Sequence, residues 1–163
     1  MTRPRLRCFE ETENDLALLK ELFFDPLFLK FMQPRGIEEC PDESDLNLKL
    51  MALARNSQYR NDGLKILFNT DDLQPIGISG ILEKNSGLNM PELSIYIRKE
   101  FRGLGFAKEG IRLTSQKSSI SNYAAFVDFE NKTSQKLMKS SRLSLSGIVF
   151  HRNLKREGLL YLS

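Results

Sequence analysis

Arg102-Gly103-Leu104-Gly105-Phe106-Ala107 follows an alternating run, Glu92 to Ile97, and leads into an amphipathic one, Phe106 to Lys117. The order is strand, glycine turn, helix start. Glycines at 103 and 105 remove side chains where the backbone must approach something closely. The N–H groups of a helix's first turn have no partner inside the helix, and the positive end of the helix dipole lies beside them. Such donors suit a phosphate or pyrophosphate, and Arg102 is expected to add a positive charge at the same mouth. Two glycines before a helix also make an ordinary turn, so the neighbouring segments decide.

In the strand before the turn, Leu93, Ile95 and Ile97 share one face and Glu92, Ser94 and Tyr96 the other. One face is greasy and one carries chemistry. Two earlier runs, Leu64 to Phe68 and Ile76 to Leu82, are separated by Asn69-Thr70-Asp71-Asp72-Leu73-Gln74-Pro75, and a turn around Asn85-Ser86-Gly87 leads on to Glu92. Polar turn formers between apolar runs predict an antiparallel meander of three strands. Beyond the glycines, Phe106, Ala107, Gly110, Ile111 and Thr114 form a helical stripe, and Tyr123 to Phe129 is apolar enough for a strand buried on both faces. Strand, crossover helix and strand imply parallel pairing across that unit. A last helix, Thr133 to Ser140, precedes two short strands, Leu143 to Phe150 and Gly158 to Leu162.

Nearer the start, Leu6 to Cys8 reads as a first strand, and Thr12-Glu13-Asn14-Asp15 has the form of a capping box. Leu16, Leu19 and Phe23 follow at helical spacing, and Asp25-Pro26 ends that helix because the residue before proline avoids the helical region. Leu27 to Met32 is greasy for a connection. It is either a second short helix packed on the core or an apolar wall of a substrate cleft. Asp42 to Ala54, with an acidic first turn and Leu46, Leu50, Leu53 and Ala54 on one face, predicts another helix.

The 163 residues suffice for one domain with a proper core and no Pro/Gly/Ser-rich linker divides them, so a single domain over 1–163 is expected. No apolar run approaches the roughly 20 residues that span a bilayer. Met1 to Glu10 lacks the apolar core of a secretory signal, so a cytoplasmic protein with no membrane partner is expected. Cys8 and Cys40 lack C-x-x-C spacing and read as two reduced thiols; His151 is the single histidine, and no metal is expected. The formal net charge is +3, with basic residues scattered except for Arg152, Lys155 and Arg156. That cluster reads as a solvated turn between the terminal strands, and nucleic acid is not an expected partner.

A dinucleotide fold competes for the glycine turn, because Gly103-Leu104-Gly105 with Asp128 downstream loosely matches G-x-G-x-x-G and its ribose-binding acid. Lys108 stands where the third glycine belongs, and an antiparallel meander precedes the turn where that fold needs parallel units. A nucleotide-triphosphate loop fails for want of G-K-S or G-K-T.

Arg102 to Ala107 resembles R-x-x-G-x-A, the acetyl-CoA-binding motif of the GCN5-related N-acetyltransferases (the GNAT family), and sits between the fourth strand and the long helix as theirs does. Glu130-Asn131-Lys132-Thr133-Ser134-Gln135-Lys136-Leu137 resembles their second signature, E-N-x-x-S-x-x-L, at the end of the fifth strand. Phe24-Asp25-Pro26-Leu27 through Met32 resembles the ribosomal-protein-alanine acetyltransferase (RimJ/RimL-like) branch. The resemblance covers nearly the whole chain. It implies an α/β (α+β) single-domain GNAT fold, with a mixed, mostly antiparallel sheet of about seven strands and about four helices on both faces. Parallel pairing is confined to the unit of strand 4, helix 3 and strand 5.

The function so implied is transfer of acetyl from acetyl-CoA, the donor cosubstrate, to a primary amine of a protein N-terminus or small molecule by direct attack. Cofactor contacts fall to Ile97 and Arg98, where the family has a strand bulge, to Arg102, Gly103, Leu104, Gly105, Phe106 and Ala107 for the pyrophosphate, and to Asn131 for the pantetheine arm. Transfer needs a deprotonated amine, a stabilised oxyanion and a protonated leaving thiolate. Glu92 is the candidate base, or else half of a cross-strand ion pair; Ser134 resembles the hydroxyl some members aim at the CoA sulfur, or else caps the helix. Tyr96 shares Glu92's face as a third catalytic candidate, or else is a packed residue with a solvated hydroxyl.

Two positions depart from the family pattern. Met138 stands where many members carry a tyrosine after the second signature, and Arg142-Leu143 where they have Gly-Phe, which leaves the turn geometry there open. The alternative function is a non-catalytic CoA-binding or protein-interaction module on the same fold; a third is RNA association through Arg152, Lys155 and Arg156. Monomer and homodimer are both compatible with the sequence.

Overall fold

The computed structural model describes residues 4–10, 12–32, 42, 63–83 and 87–163. Strands β1 (Pro4–Arg7), β2 (Lys65–Asn69), β3 (Pro75–Leu82), β4 (Glu92–Ile97), β5 (Ala124–Val127), β6 (Ser144–His151) and β7 (Arg156–Leu162) join one sheet in the order β1-β2-β3-β4-β5-β7-β6. Helices α1 (Glu13–Phe24) and α2 (Pro26–Met32) precede the meander, α3 (Phe106–Lys117) links β4 to β5, and α4 (Lys132–Ser140) follows β5. A 3-10 turn, Lys99–Phe101, joins β4 to the glycine stretch. The expected helix from Asp42 to Ala54, the Asn85-Ser86 part of the second turn, and Cys40 lie outside the described residues, Asp42 excepted.

Local chemistry accounts for most of these elements. Thr12 caps α1 by accepting the Asp15 N–H at 3.3 Å, and Asp25 ends that helix in extended conformation before Pro26. The β2–β3 hairpin is closed by Asn69 N–H to Gln74 C=O at 2.9 Å, while Asn69 and Asp72 side chains accept from Asp71 and Gln74 amides inside the loop. β2, β3 and β4 pair antiparallel as the meander predicts. β4 pairs β5 in parallel, the single parallel contact in a sheet whose other pairings are antiparallel.

Apolar clusters cover both faces of the sheet. Phe9, Leu18, Leu19 and Leu22 pack with Ile66, Ile78 and Tyr96 on one side. Ile81, Leu93, Ile111, Ala125, Val127, Met138 and Tyr161 pack together on the other, where α3 and α4 lie. Gly110 sets how closely α3 approaches: a Cβ there would stand 2.8 Å from Ile95 Cδ1 and 3.3 Å from Leu67 Cδ2. A leucine at 110 would have to push α3 off β4. Gly110→Leu is therefore expected to lower unfolding free energy in urea titrations by about 1–3 kcal/mol.

Candidate active site

The site begins with backbone that the sheet does not use. In the β3–β4 ladder Arg98 N–H donates to Ile76 C=O at 2.9 Å, so even-numbered residues of β4 bond to β3 and the odd-numbered ones face β5. Ala124 N–H donates to Pro91 C=O at 2.9 Å, in keeping with that alternation. The parallel register holds only at Glu92 opposite Ala124, after which the strands diverge. Ile95 and Ile97 thus turn N–H and C=O groups toward the gap. The bulge expected near Ile97 is absent, since register runs unbroken from Leu82–Glu92 to Gly77–Ile97. Ordinary strand alternation already aims the Ile97 N–H into the opening.

At the end of this gap lies the glycine turn. Gly103 and Gly105 have φ of +78° and +83°, the left-handed region that favours glycine, and both are exposed with nothing within 4 Å of where a Cβ would sit. Gly105 is the N-cap of α3, and the first-turn N–H groups of the helix have no side-chain cap. Phe106 and Ala107 anchor the turn in the apolar cluster, with Phe106 edge-on to Phe101 at 6.1 Å. Leu104 is exposed.

The two arginines behave differently from expectation. Arg98 directs its guanidinium to Glu21 at 2.8 Å, Glu100 at 2.9 Å and Pro75 C=O at 3.2 Å, and its backbone N–H to Ile76, so three of its five guanidinium N–H donors are engaged within the chain. Arg102 donates from Nε to Ile97 C=O at 2.9 Å and from Nη2 to Asp25 Oδ2 at 2.7 Å. Its charge is compensated by Asp25 and faces α2 instead of standing bare at the mouth of α3.

The role of Asp25 is what sequence reasoning missed, where the residue reads as a helix stop and as part of the RimJ/RimL-like stretch. Its Oδ1 accepts from Leu27 N–H at 2.9 Å and Phe28 N–H at 3.1 Å, capping α2, while Oδ2 takes Arg102 and, at 3.4 Å, the Tyr96 hydroxyl. The Asp-Pro pair opening a greasy run was the available signal. Burial pushes the Asp25 carboxyl up, but Arg102 and the two amides outweigh it and hold it below its ordinary value. Tyr96 is buried, edge-on to Phe28 at 6.2 Å and under the Arg102 guanidinium. Its hydroxyl is therefore not solvated, and burial with the nearby Asp25 and Glu21 charges raises its pKa.

Glu92 is 5% exposed and both its oxygens meet His151 Nε2, at 3.0 and 3.1 Å. His151 Nδ1 accepts the Leu154 N–H at 3.1 Å, so the imidazole proton sits on Nε2 and is donated to the carboxylate. Phe126 packs edge-on to the imidazole at 4.8 Å.

After β5, Asn131 caps α4 by accepting Ser134 N–H at 3.1 Å through Oδ1, which fixes the orientation of its amide. The cap is thus Asn131 and not Ser134, whose hydroxyl makes no hydrogen bond among the described residues. Met138 is buried in the core, and Arg142 adopts φ +66°, taking the left-handed place that the family's glycine would fill. Leu143 is buried behind it.

Arg156 is not part of a solvated cluster. It is 8% exposed and donates through Nη1 to Asp128 Oδ2 at 3.0 Å and to Lys30 C=O at 2.9 Å. Asp128 is thereby committed to Arg156, which removes the ribose-binding role a dinucleotide fold would need. Arg152 and Lys155 are exposed. Lys30 Nζ pairs with Glu130 at 2.9 Å, so α2 meets the β4 side at its first residues and the β5 side at Lys30. Among the described residues no cluster of three or more His, Cys, Asp or Glu side chains could hold a metal, and no helix is long and apolar enough to cross a membrane.

A sheet that opens between β4 and β5 onto a glycine-capped helix is what the acetyltransferase (GNAT) domain family has, and that family's profile matches residues 3–143. The chain belongs to the GNAT acetyltransferase family. It is an acetyl-CoA-dependent N-acetyltransferase, and acetyl-CoA is the family's acyl donor. No curated protein sequence matches it. Among solved structures, an acetyltransferase from Agrobacterium tumefaciens superimposes with a TM-score of 0.75 at 15% identity, over 100% of this GNAT chain and 94% of that one. A spermidine N-acetyltransferase from Vibrio cholerae, in complex with CoA and spermine, gives 0.70 at 17% identity, over 98% and 94% of the two chains. RimL, a ribosomal L7/L12 alpha-N-protein acetyltransferase in complex with CoA, gives 0.73 at 13% identity, over 100% and 94%. At these identities the likeness is one of fold.

Because the Asp25 pKa is lower folded than unfolded, its contribution to stability is full above the unfolded value, near pH 4, and disappears as pH falls through the folded value. Asp25→Asn has no carboxyl there to titrate. Its melting temperature is expected to fall less than the wild type's between pH 5 and about pH 3 in paired thermal melts.

Proposed function

We propose that the turn from Gly103 to Ala107 holds the pyrophosphate of acetyl-CoA on its backbone amides, and that the β4–β5 gap admits the pantetheine arm. The single observation carrying this is the run of β4 backbone at Ile95 and the Ile97 N–H that β5 leaves unpaired, ending on a helix start with no side-chain cap behind two left-handed glycines. An extended arm entering the gap meets strand-edge donors and acceptors, as a further strand would. Asn131, held in place as the cap of α4, is the residue proposed to hydrogen-bond the arm from the β5 side. Ile97 contributes backbone only, and Arg102 serves by fixing the turn through Ile97 C=O and Asp25. The described residues support a single acetyltransferase domain over 1–163.

Acetyl-CoA supplies an acetyl group activated as a thioester. In this reading Glu92, whose carboxylate is paired with His151 Nε2–H and held in a fixed orientation, takes the amine proton directly or through one water. The Ile97 N–H is the donor available for the oxyanion, and the unengaged Ser134 hydroxyl is the proton source for the leaving thiolate. Tyr96 orients Asp25 and supports the wall of the opening; its hydroxyl, bonded to a carboxylate, gives up no proton.

The acceptor we infer is a protein N-terminal amine, as in the RimJ/RimL-like branch. Leu27, Phe28, Phe31 and Met32 make the α2 side of the opening apolar, and Asp25, Glu92, Asp128 and Glu130 each already face a cation or a histidine donor. With these four carboxylates already paired, the opening suits one amine on an apolar peptide better than a polycation. Such an amine has a pKa of about 8 against about 10.4 for lysine, and so needs less from the base.

Calorimetry with acetyl-CoA tests the donor site. Wild type binds it, and Gly105→Glu, which puts a strained and negative residue on the turn, weakens binding about tenfold or more; unchanged affinity in the variant would sink the assignment. A thiol-release screen of peptide N-termini, amino-sugars and polyamines then identifies the acceptor. With that acceptor Glu92→Gln is expected to lower kcat by about 100-fold or more while acetyl-CoA affinity holds. Acetyl-CoA binding with no turnover of peptide N-termini would overturn the inferred acceptor.

A further inference from the structure

We propose that Asp25 is a positioning residue that couples the acetyl-CoA turn to the acceptor wall, α2 being strapped across the β4–β5 opening with one end tied to each signature segment. The inference rests on the Arg102 to Ala107 turn being the donor site.

Each tie is a specific set of contacts. At the first end, Asp25 holds the Leu27 and Phe28 amides with one oxygen and Arg102 with the other, and Arg102 in turn grips Ile97 C=O beside the gap. Arg102 is the residue immediately before Gly103, so whatever immobilises the turn also immobilises the guanidinium. At the second end, Lys30 C=O accepts from Arg156, Arg156 holds Asp128, and Lys30 Nζ reaches Glu130, the first residue of the second signature segment. The helix between these ties has seven residues, none of them fully buried, and Phe28 joins the core cluster as a partly buried residue. A segment held at two points responds to what those points are attached to.

The consequence is a linkage. Occupying the turn narrows the positions open to Arg102, hence to Asp25, hence to the cap of α2, and the acceptor wall becomes more ordered once donor is bound. Binding free energies couple reciprocally, so acceptor contact with α2 must favour acetyl-CoA on the turn by the same factor. Asp25 does this without touching either substrate.

Hydrogen–deuterium exchange of Leu27 to Met32, with and without saturating acetyl-CoA, provides the test. In the wild type acetyl-CoA is expected to slow exchange in this segment by about fivefold or more. Asp25→Asn keeps an oxygen for the Leu27 and Phe28 amides but loses the ion pair, and Arg102→Gln loses it from the other side with Asp25 intact. Each should cut the acetyl-CoA-dependent slowing to less than about twofold, and the double variant should match the singles. A purely structural role would change exchange equally with and without acetyl-CoA, leaving their ratio as in wild type. That unchanged ratio, or a wild type that binds acetyl-CoA in the calorimeter with no slowing at α2, overturns the proposal. A wild type that binds no acetyl-CoA removes the donor site itself, and the coupling with it.

Discussion

The architecture depends on one backbone constraint: β4 and β5 pair in parallel at Glu92 opposite Ala124 and then part company. Hydrogen-bonding groups of a central strand are normally consumed by both neighbours, and leaving them unmatched inside a protein is costly unless water or a ligand supplies the partners. Here that cost is confined to Ile95 and the Ile97 N–H, because Arg102 Nε satisfies the Ile97 C=O and the β3 side of the strand stays fully registered through Ile97. The sheet is therefore intact on one side of β4 and open on the other. Everything else at the site, from the glycine turn to the helix that spans the opening, is arranged around this asymmetry.

Charge is arranged around it as well. Asp25 with Arg102, Glu92 with His151, and Asp128 with Arg156 bring a buried carboxylate to a basic group near the gap, and none of these carboxylates is more than 8% exposed. Removing a carboxylate from water is expensive, and the partner groups repay it only where geometry is good. Buried pairs of this kind add little net stability, but they fix orientation. The three pairs join segments distant in sequence, tying the α1–α2 junction to the glycine turn, β4 to the end of β6, and the end of β5 to the start of β7.

Local features were legible in the sequence. The alternation from Glu92 to Ile97, the Thr12 cap, the Asn69 to Pro75 loop and the glycines at 103 and 105 all stand where their residue types required, because each is decided by groups a few positions apart. What escaped was long-range pairing. Arg102 lies 77 positions from Asp25, and Glu92 lies 59 from His151; no periodicity or capping rule reports such partners. Arg156 looked like part of a solvated basic cluster for the same reason, since its partner Asp128 belongs to another strand end. The bulge near Ile97 came from family resemblance and not from residues of this chain, and the β3–β4 register lacks it. At Arg142 the absent glycine suggested altered geometry, yet the backbone keeps the left-handed turn with an arginine.

The exposure of α2 carries a consequence for how this chain changes over generations. Its Leu27 and Met32 are 50% and 38% exposed, Lys30 is a surface residue, and no residue of the helix is fully buried. Exposed positions usually tolerate replacement within about 0.5 kcal/mol, far less than a core position costs. Divergence can therefore rewrite the chemistry of this helix's outer face while Asp25 and the Lys30 carbonyl, which do not depend on those side chains, keep it in place. New specificities can arise there without first spending the stability that the rest of the domain needs to fold.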